Sequence, residues 1–365
     1  MTNSPNRTNR IFRPLRTMLL LPLLAVVSLM TTGCANDKQV ISQANQFHQN
    51  LEPAVIKDPQ LSRYIQTVGD RIIAAAEALD KQGFGPASHK KESATWMFAK
   101  GGMQFHFVNS KTINAFTTGG NHMYVYTELF QKCDTEDELA AVMAHEFAHV
   151  YARHVQKGMN RQIVTMLGAA GVGAAGYAAG GKEHGAQYAS AGAGLAAMAG
   201  QYFGMSYTRE DEDEADRLGF QFYSRAGWDP NRFADFFRKM IAMGMDTQSA
   251  EMSDHPTLKS RVEKAVQRAK NLPPESSRWR QQPVASPSEL RQLQQRAASL
   301  ANTMPNDQQL QQSKELLAAL PRSCLTPLDQ ALPDQQNAQI NLIEQLQAAH
   351  DAQQGQSQKS QHHRK

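Results

Sequence analysis

Five consecutive residues, His145–Glu146–Phe147–Ala148–His149, set two imidazoles four positions apart with a carboxylate between them. On a helix four residues turn through about 400°, so both histidines project from one face, one turn apart. Imidazoles so placed can reach a single Zn²⁺ at about 2.0–2.1 Å. Glu146 then lies about 100° round the helix, beside such an ion and off its ligand direction. That position suits a general base for the attacking water, whose pKa the ion lowers towards about 7. The bare motif arises by chance often enough to be weak alone. Its flanks strengthen it: Val142, Met143, Phe147, Ala148, Val150 and Tyr151 are uncharged, as expected of a helix buried under an active site. A surface helix with two solvated histidines would carry charges there.

Catalytic zinc usually takes three protein ligands and a water. Downstream, the run Glu210–Gly219 (EDEDEADRLG) offers Glu210, Glu212 and Glu214, and residue chemistry alone does not choose among them. A solvated helix face explains Glu210 and Asp211, whereas Ala215, Leu218 and Phe220 mark a buried side. Together, HExxH and this acidic helix resemble the gluzincin metallopeptidase family that includes the CAAX prenyl endopeptidases, HtpX and the periplasmic protease BepA, in which HExxH is followed by ExxxD. The resemblance runs from about Asp58 to Lys270. It implies one Zn²⁺ per subunit, held by His145, His149 and Glu212, with Glu146 as catalytic base. Asp216, one turn beyond Glu212, is by the same resemblance either a proton donor or an acceptor that orients a ligand histidine.

The fold so implied is α+β, a mostly helical zincin-type metallopeptidase with a small β-sheet beside the active-site helix. Ile113–Phe116 and the Gly119–Gly120 turn precede a strand at Met123–Thr127. In the family such a strand lies beside the zinc and receives the substrate as an added strand, a mode that favours unfolded or misfolded polypeptides. His122 departs from the family pattern, and no role is read for it. His255, in the loop Ser253–Pro256, falls where relatives pack a loop near the metal. Pro256 disfavours helical geometry at His255 and leaves its side chain to project. It is a candidate oxyanion stabiliser, or a latch that closes zinc's fourth position, with helix capping or packing as the plain alternative.

The elements that must hold these residues are legible in outline. Asp58 and Pro59 form a helix start, and Leu61, Ile65, Val68, Ile72 and Ile73 recur at helical spacing up to Gly83. Phe105 and Phe107, then Met123 and Val125, fall two apart and predict short strands. A helix is expected over Thr135–Val155, with Thr135 and Glu138 as a capping box. Others are expected from Arg209 to Ala226, after Asp229–Pro230, and from Pro256 to Lys270. Residues 271–290 hold four prolines among Ser and Gln and read as a linker between a metallopeptidase domain (34–270) and a helical C-terminal region (291–350). No repeat of about 34 residues marks that region, and 351–365 is expected to be disordered. Within the domain, 163–205 is Gly/Ala-rich and nearly uncharged, and a closely packed helical hairpin is expected over contact with a membrane surface or membrane-spanning helices.

Four arginines and then an apolar stretch of 13 residues, Met18–Met30, which is too short to span a bilayer, mark 1–33 as a signal segment. The text leading into Cys34 resembles a lipoprotein signal, which implies lipidation of Cys34, and Ala35 after it implies the periplasmic face of the outer membrane. In that oxidising space Cys133 and Cys324 are a candidate disulfide, two buried thiols being the alternative. A net charge of +4 on 365 residues, without zinc-finger spacing or a basic helix, gives no reason to expect nucleic acid, and the oligomeric state is left open. The expected function is hydrolysis of unfolded or misassembled envelope proteins. A chaperone-like zinc module or a membrane-interaction protein with little peptidase activity is the alternative.

Overall fold

The computed structural model describes residues 37–84, 95–159, 207–245 and 257–320. The fold is α+β, helices around one small sheet. Helix α1 (Asp37–Leu51) leads to α2 (Pro59–Lys81), whose first turn is closed by Asp58 accepting from the N–H groups of Gln60 and Leu61. Strands β1 (Gln104–Val108), β2 (Ala115–Thr117) and β3 (His122–Tyr126) follow. They are ordered β1-β3-β2, with β1 parallel and β2 antiparallel to β3. Helix α3 (Thr127–Lys132) and the long α4 (Glu136–Tyr151) come next.

Side chains alternate across a strand, so the sheet separates two apolar layers. Phe105, Phe107, Met123 and Val125 join the main core, with Ile65 and Val68 of α2 and Leu139, Met143 and Phe147 of α4. Val108, Tyr124 and Tyr126 face the other way, with Phe116, onto Phe47 and Leu51 of α1.

After residue 159 the described chain resumes at Tyr207. Helix α5 (Arg209–Arg225) opens with a capping box between Thr208 and Asp211 and ends at Gly227, whose φ of +97° is glycine's. Asp229 caps a single 3₁₀ turn, after which α6 (Asp235–Ala242) forms, and Thr257 caps α7 (Leu258–Lys270).

Three expectations are corrected. The Thr135–Glu138 capping box does not form. Glu138 Oε2 accepts instead from the Asp134 N–H at 2.6 Å and lies 2.6 Å from Lys239 Nζ, because the lysine of α6 draws the carboxylate aside. Nor does α4 run unbroken to Val155. It stops at Tyr151, and Arg153 takes a left-handed φ of 60° while its guanidinium pairs with Asp37. Finally, the Met123–Thr127 segment cannot receive an added strand, since β3 is central and both its edges are paired. Among the described residues, β2 is the edge strand on that side.

Residues 271–290, expected as a linker, lie against the domain. Gln281 N–H bonds the Gly227 carbonyl, and Val284 and Ala285 N–H both bond the carboxylate of Glu136. Helices α8 (Pro287–Thr303) and α9 (Gln308–Ala319) then extend the two cores, Leu290, Leu293 and Ala297 entering the first and Leu310, Leu316 and Leu317 the second. Among the described residues no helix is long and apolar enough to cross a membrane. The signal segment 1–33, Cys34, the 163–205 stretch, His255, Cys324 and the 351–365 tail lie outside the described residues.

Candidate metal centre

Helices α4 and α5 pack along one another, and Gly219 lets them approach. A Cβ there would sit 3.0 Å from the Ala144 carbonyl oxygen and from His145 Cα. Across this contact α4 presents His145 and His149, and α5 presents Glu212 and Asp216, all buried. Nε2 of His145 and Nε2 of His149 lie 3.1 Å apart. Glu212 Oε2 is 3.4 Å from the first and Oε1 is 3.6 Å from the second.

These three groups fit a metal ion. A tetrahedral ion about 2.0–2.1 Å from each ligand needs ligand–ligand edges of roughly 3.3 Å, close to the 3.1 Å between the imidazoles and to the distance from each imidazole to its nearer Glu212 oxygen. Both Glu212 oxygens are buried without a short hydrogen bond, facing the two imidazoles, with Arg261 Nη2 3.8 Å from Oε2. One ligand atom from each of His145, His149 and Glu212 can therefore hold an ion jointly. Glu146, also buried, follows His145 on the same helix.

The other acidic residues of α5 have different duties. Glu210 is exposed. Asp211 caps the helix, its side chain accepting from the Thr208 N–H at 3.1 Å. Glu214 turns away to His154 Nε2 at 3.1 Å and to Lys157 Nζ at 3.0 Å.

Each histidine faces the ion position with Nε2 and uses Nδ1 outward. For His145 the partner is Asp216 Oδ1 at 2.9 Å. Asp216 is itself gripped by Arg261 of α7, through Nε to Oδ2 at 2.8 Å and Nη2 to Oδ1 at 2.7 Å, and that guanidinium lies over the ring of Phe237. Burial works against ionisation of Asp216, but the Arg261 charge and the bond to His145 hold its carboxyl well below the usual range. Burial and the Arg261 charge also press on His145, and the carboxylates of Asp216 and Glu212 together outweigh them, raising its pKa to about 9. An ion binding there displaces a proton.

For His149 the outward partner is Nδ1 of His154 at 2.8 Å, which completes a chain His149–His154–Glu214. On an unbroken helix residue 154 would point about 140° away from residue 149. The left-handed residue at Arg153 turns it back.

The sequence expectations named His145, Glu146, His149, Glu212 and Asp216, and the structure gathers them. Arg261 and His154 were not foreseen. Nothing distinguishes Arg261 from its neighbours in the sequence, and His154 falls on the wrong side of an ideal helix. Cys133 is a buried thiol at the end of α3, its Sγ donating to the Leu129 carbonyl, and burial pushes its pKa up.

An HExxH helix completed by a glutamate from a second helix is the frame of a metallopeptidase. The model of peptidase family M48 matches residues 59–269, more than half of the 365. The beta-barrel assembly-enhancing protease of Escherichia coli strain K12 is 30% identical over 231 residues, 60% of this chain and 41% of that protein. Its counterpart of the same name in Yersinia pestis is 30% identical over 227 residues, again 60% and 41%. The mitochondrial metalloendopeptidase OMA1 of Schizosaccharomyces pombe is 30% identical over 167 residues, 44% of this chain and 45% of that protein. The matched segments span less than half the length of these relatives. The chain belongs to peptidase family M48.

Proposed function

We propose that this chain is a zinc-dependent endopeptidase that hydrolyses unfolded or misassembled cell-envelope polypeptides. The observation that carries the reading is the meeting of the His145 and His149 Nε2 atoms with the Glu212 carboxylate, with Glu146 next to His145 on the same helix. Zinc held there would polarise a carbonyl and acidify its water. Glu146 would take the proton of the attacking water and return it to the leaving amine. Asp216 accepts from His145 and fixes the direction of its ring, and His154 does the same for His149. Asp216 is too firmly held as an anion by Arg261 to serve well as a proton donor. An extended substrate pairs with the outer edge of β2, which selects for unfolded chains.

The envelope setting draws support from relatives named beta-barrel assembly-enhancing proteases and from the N-terminal sequence, with Cys34 as the lipid anchor at the periplasmic face of the outer membrane. The test is metal content and casein hydrolysis of the purified chain beside Glu146→Gln. The variant should keep its zinc and lose about 10²–10⁴-fold in turnover. Near-normal turnover in that variant sinks the assignment of the base.

A further inference from the structure

The second face of the sheet carries three histidines that the peptidase chemistry leaves unused. His48 lies on α1, His106 on β1 and His122 at the start of β3. In the parallel register Gln104 stands opposite His122 and His106 opposite Tyr124. His106 and His122 therefore share a face, one pleat apart, opposite to the side that Phe105 and Met123 bury in the main core. Helix α1 crosses this face, burying Val40, Ala44, Phe47 and Leu51, and lays His48 on the other two rings. His48 stacks on His122 with centroids 4.2 Å apart and planes 4° from parallel, and its centroid is 4.5 Å from that of His106. Gly120 permits the approach, since a Cβ there would fall 2.6 Å from Cβ of Ala44.

The ring nitrogens lie close together. His106 Nε2 lies 3.0 Å from His122 Nδ1, and one ring nitrogen from each of the three histidines lies within 4.8 Å of the others. The opposite nitrogens are tied outward: His122 Nε2 to Asn45 Oδ1 at 2.9 Å, and His48 Nδ1 to Tyr124 Oη at 2.9 Å. An amide oxygen can only accept, so Nε2 of His122 carries the hydrogen and Nδ1 is left as a lone pair aimed at His106. Outward partners of this kind fix the tautomer and aim of metal-binding imidazoles. Packing alone does not call for them, because an apolar ring would fill the same space without burying polar atoms. Burial, with the neighbouring imidazoles adding to it, keeps His106 and His122 neutral at pH 7, the form that ligates.

We propose that His48, His106 and His122 form a second metal site, distinct from the His145–His149–Glu212 group, which takes a divalent transition ion that favours imidazole, Zn²⁺ or Cu²⁺. The pair at 3.0 Å is close to the roughly 3.3 Å edge of a tetrahedral ion, and the half-buried His48 completes the set by turning its ring out of the stack on His122, so that its in-plane lone pair meets theirs. Asn45 and Tyr124 orient the ligands. The ion clips α1 to β1 and β3, so its role is to fasten the N-terminal helix to the sheet.

The test uses the full chain, stripped by a chelator, reloaded with Zn²⁺, desalted and assayed for metal. Wild type should hold two equivalents and His106→Phe/His122→Phe one, since phenylalanine keeps the ring stack and removes the nitrogens. The same zinc content in both proteins overturns the site. One equivalent in wild type and none in the double variant would sink the peptidase centre and leave this site standing. Asn45→Leu, which leaves all three ligands in place, should weaken the second equivalent about 10–100-fold. A measurement on wild type alone guards against misfolded variants. After one equivalent of Zn²⁺, added Cu²⁺ should give an electron paramagnetic resonance spectrum with three nitrogen ligands, and no protein-bound copper signal overturns the proposal.

Discussion

Nδ1 of His145 lies 2.9 Å from Asp216 Oδ1, and the oxygens of that same carboxylate are bound by Arg261 of another helix. The aim of one imidazole on α4 is thus set by a carboxylate on α5 and a guanidinium on α7. Asp216→Asn should lower zinc affinity about 10–100-fold, because the outward partner loses its charge. It should also cost about 3–5 kcal/mol of stability by leaving Arg261 buried without its counter-charge. Asp216→Asn with Arg261→Met should recover most of the stability and little of the affinity. Denaturant unfolding alongside metal titration separates the two, and recovery of both would mean that Asp216 has no part in orienting His145.

Glu212→Gln should reduce bound zinc far more than Glu214→Gln or Glu210→Gln. Glu214 acts at one remove through His154, and Glu210 is exposed. A smaller, measurable loss is expected for Glu214→Gln, and Glu210→Gln should match wild type. Metal analysis after a fixed chelator challenge ranks them, and the order fails if Glu214→Gln proves the most damaging.

Gly219→Ala inserts a methyl group 3.0 Å from the backbone of Ala144 and His145, neither of which can rotate aside. Helix α5 must move off α4, carrying Glu212 and Asp216 away from the histidines. Overpacking of this kind costs about 1–3 kcal/mol. The melting temperature and the zinc affinity should fall together, whereas an unchanged affinity would show that the helices do not need this closeness.

The hydrogen bond from Arg296 to Asp58, opposed by burial and aided by the N–H groups of Leu61 and Gln60, holds the Asp58 carboxyl at about 2. A carboxylate with a depressed folded pKa stabilises the fold above its unfolded value of about 3.9 and loses that contribution as pH falls through the folded one. The difference in melting temperature between wild type and Asp58→Asn should therefore be full above pH 4 and shrink towards pH 2. A difference that does not change across that window would rule out the pair as its source.

What the sequence disclosed follows from how local each signal is. His145, Glu146 and His149 share one helical turn, so spacing alone could place them. Glu212 depended on resemblance, because three glutamates alternate at residues 210, 212 and 214 and only the packing of α5 on α4 separates them. Arg261 reaches Asp216 across 45 positions of chain, and His154 meets His149 through one left-handed residue, neither of which any periodicity records. The strand order was equally hidden. Alternation identified β1 and β3, but the insertion of β3 between β1 and β2 is a tertiary choice.

Glu136 opens the helix that bears HEFAH, and its buried carboxylate accepts from Tyr64, from the Trp228 indole and from the N–H groups of Val284 and Ala285. Two of those four donors lie past the last residue matched by the family model, 269. Just beyond them Leu290 and Leu293 are buried in the main core, roughly 3–6 kcal/mol of apolar burial against a typical whole-domain stability of about 5–15 kcal/mol. The family match and the buried core thus end in different places. A chain cut at residue 270 would keep every residue proposed to act on the peptide bond, yet leave the first turn of its own active-site helix without half its anchors.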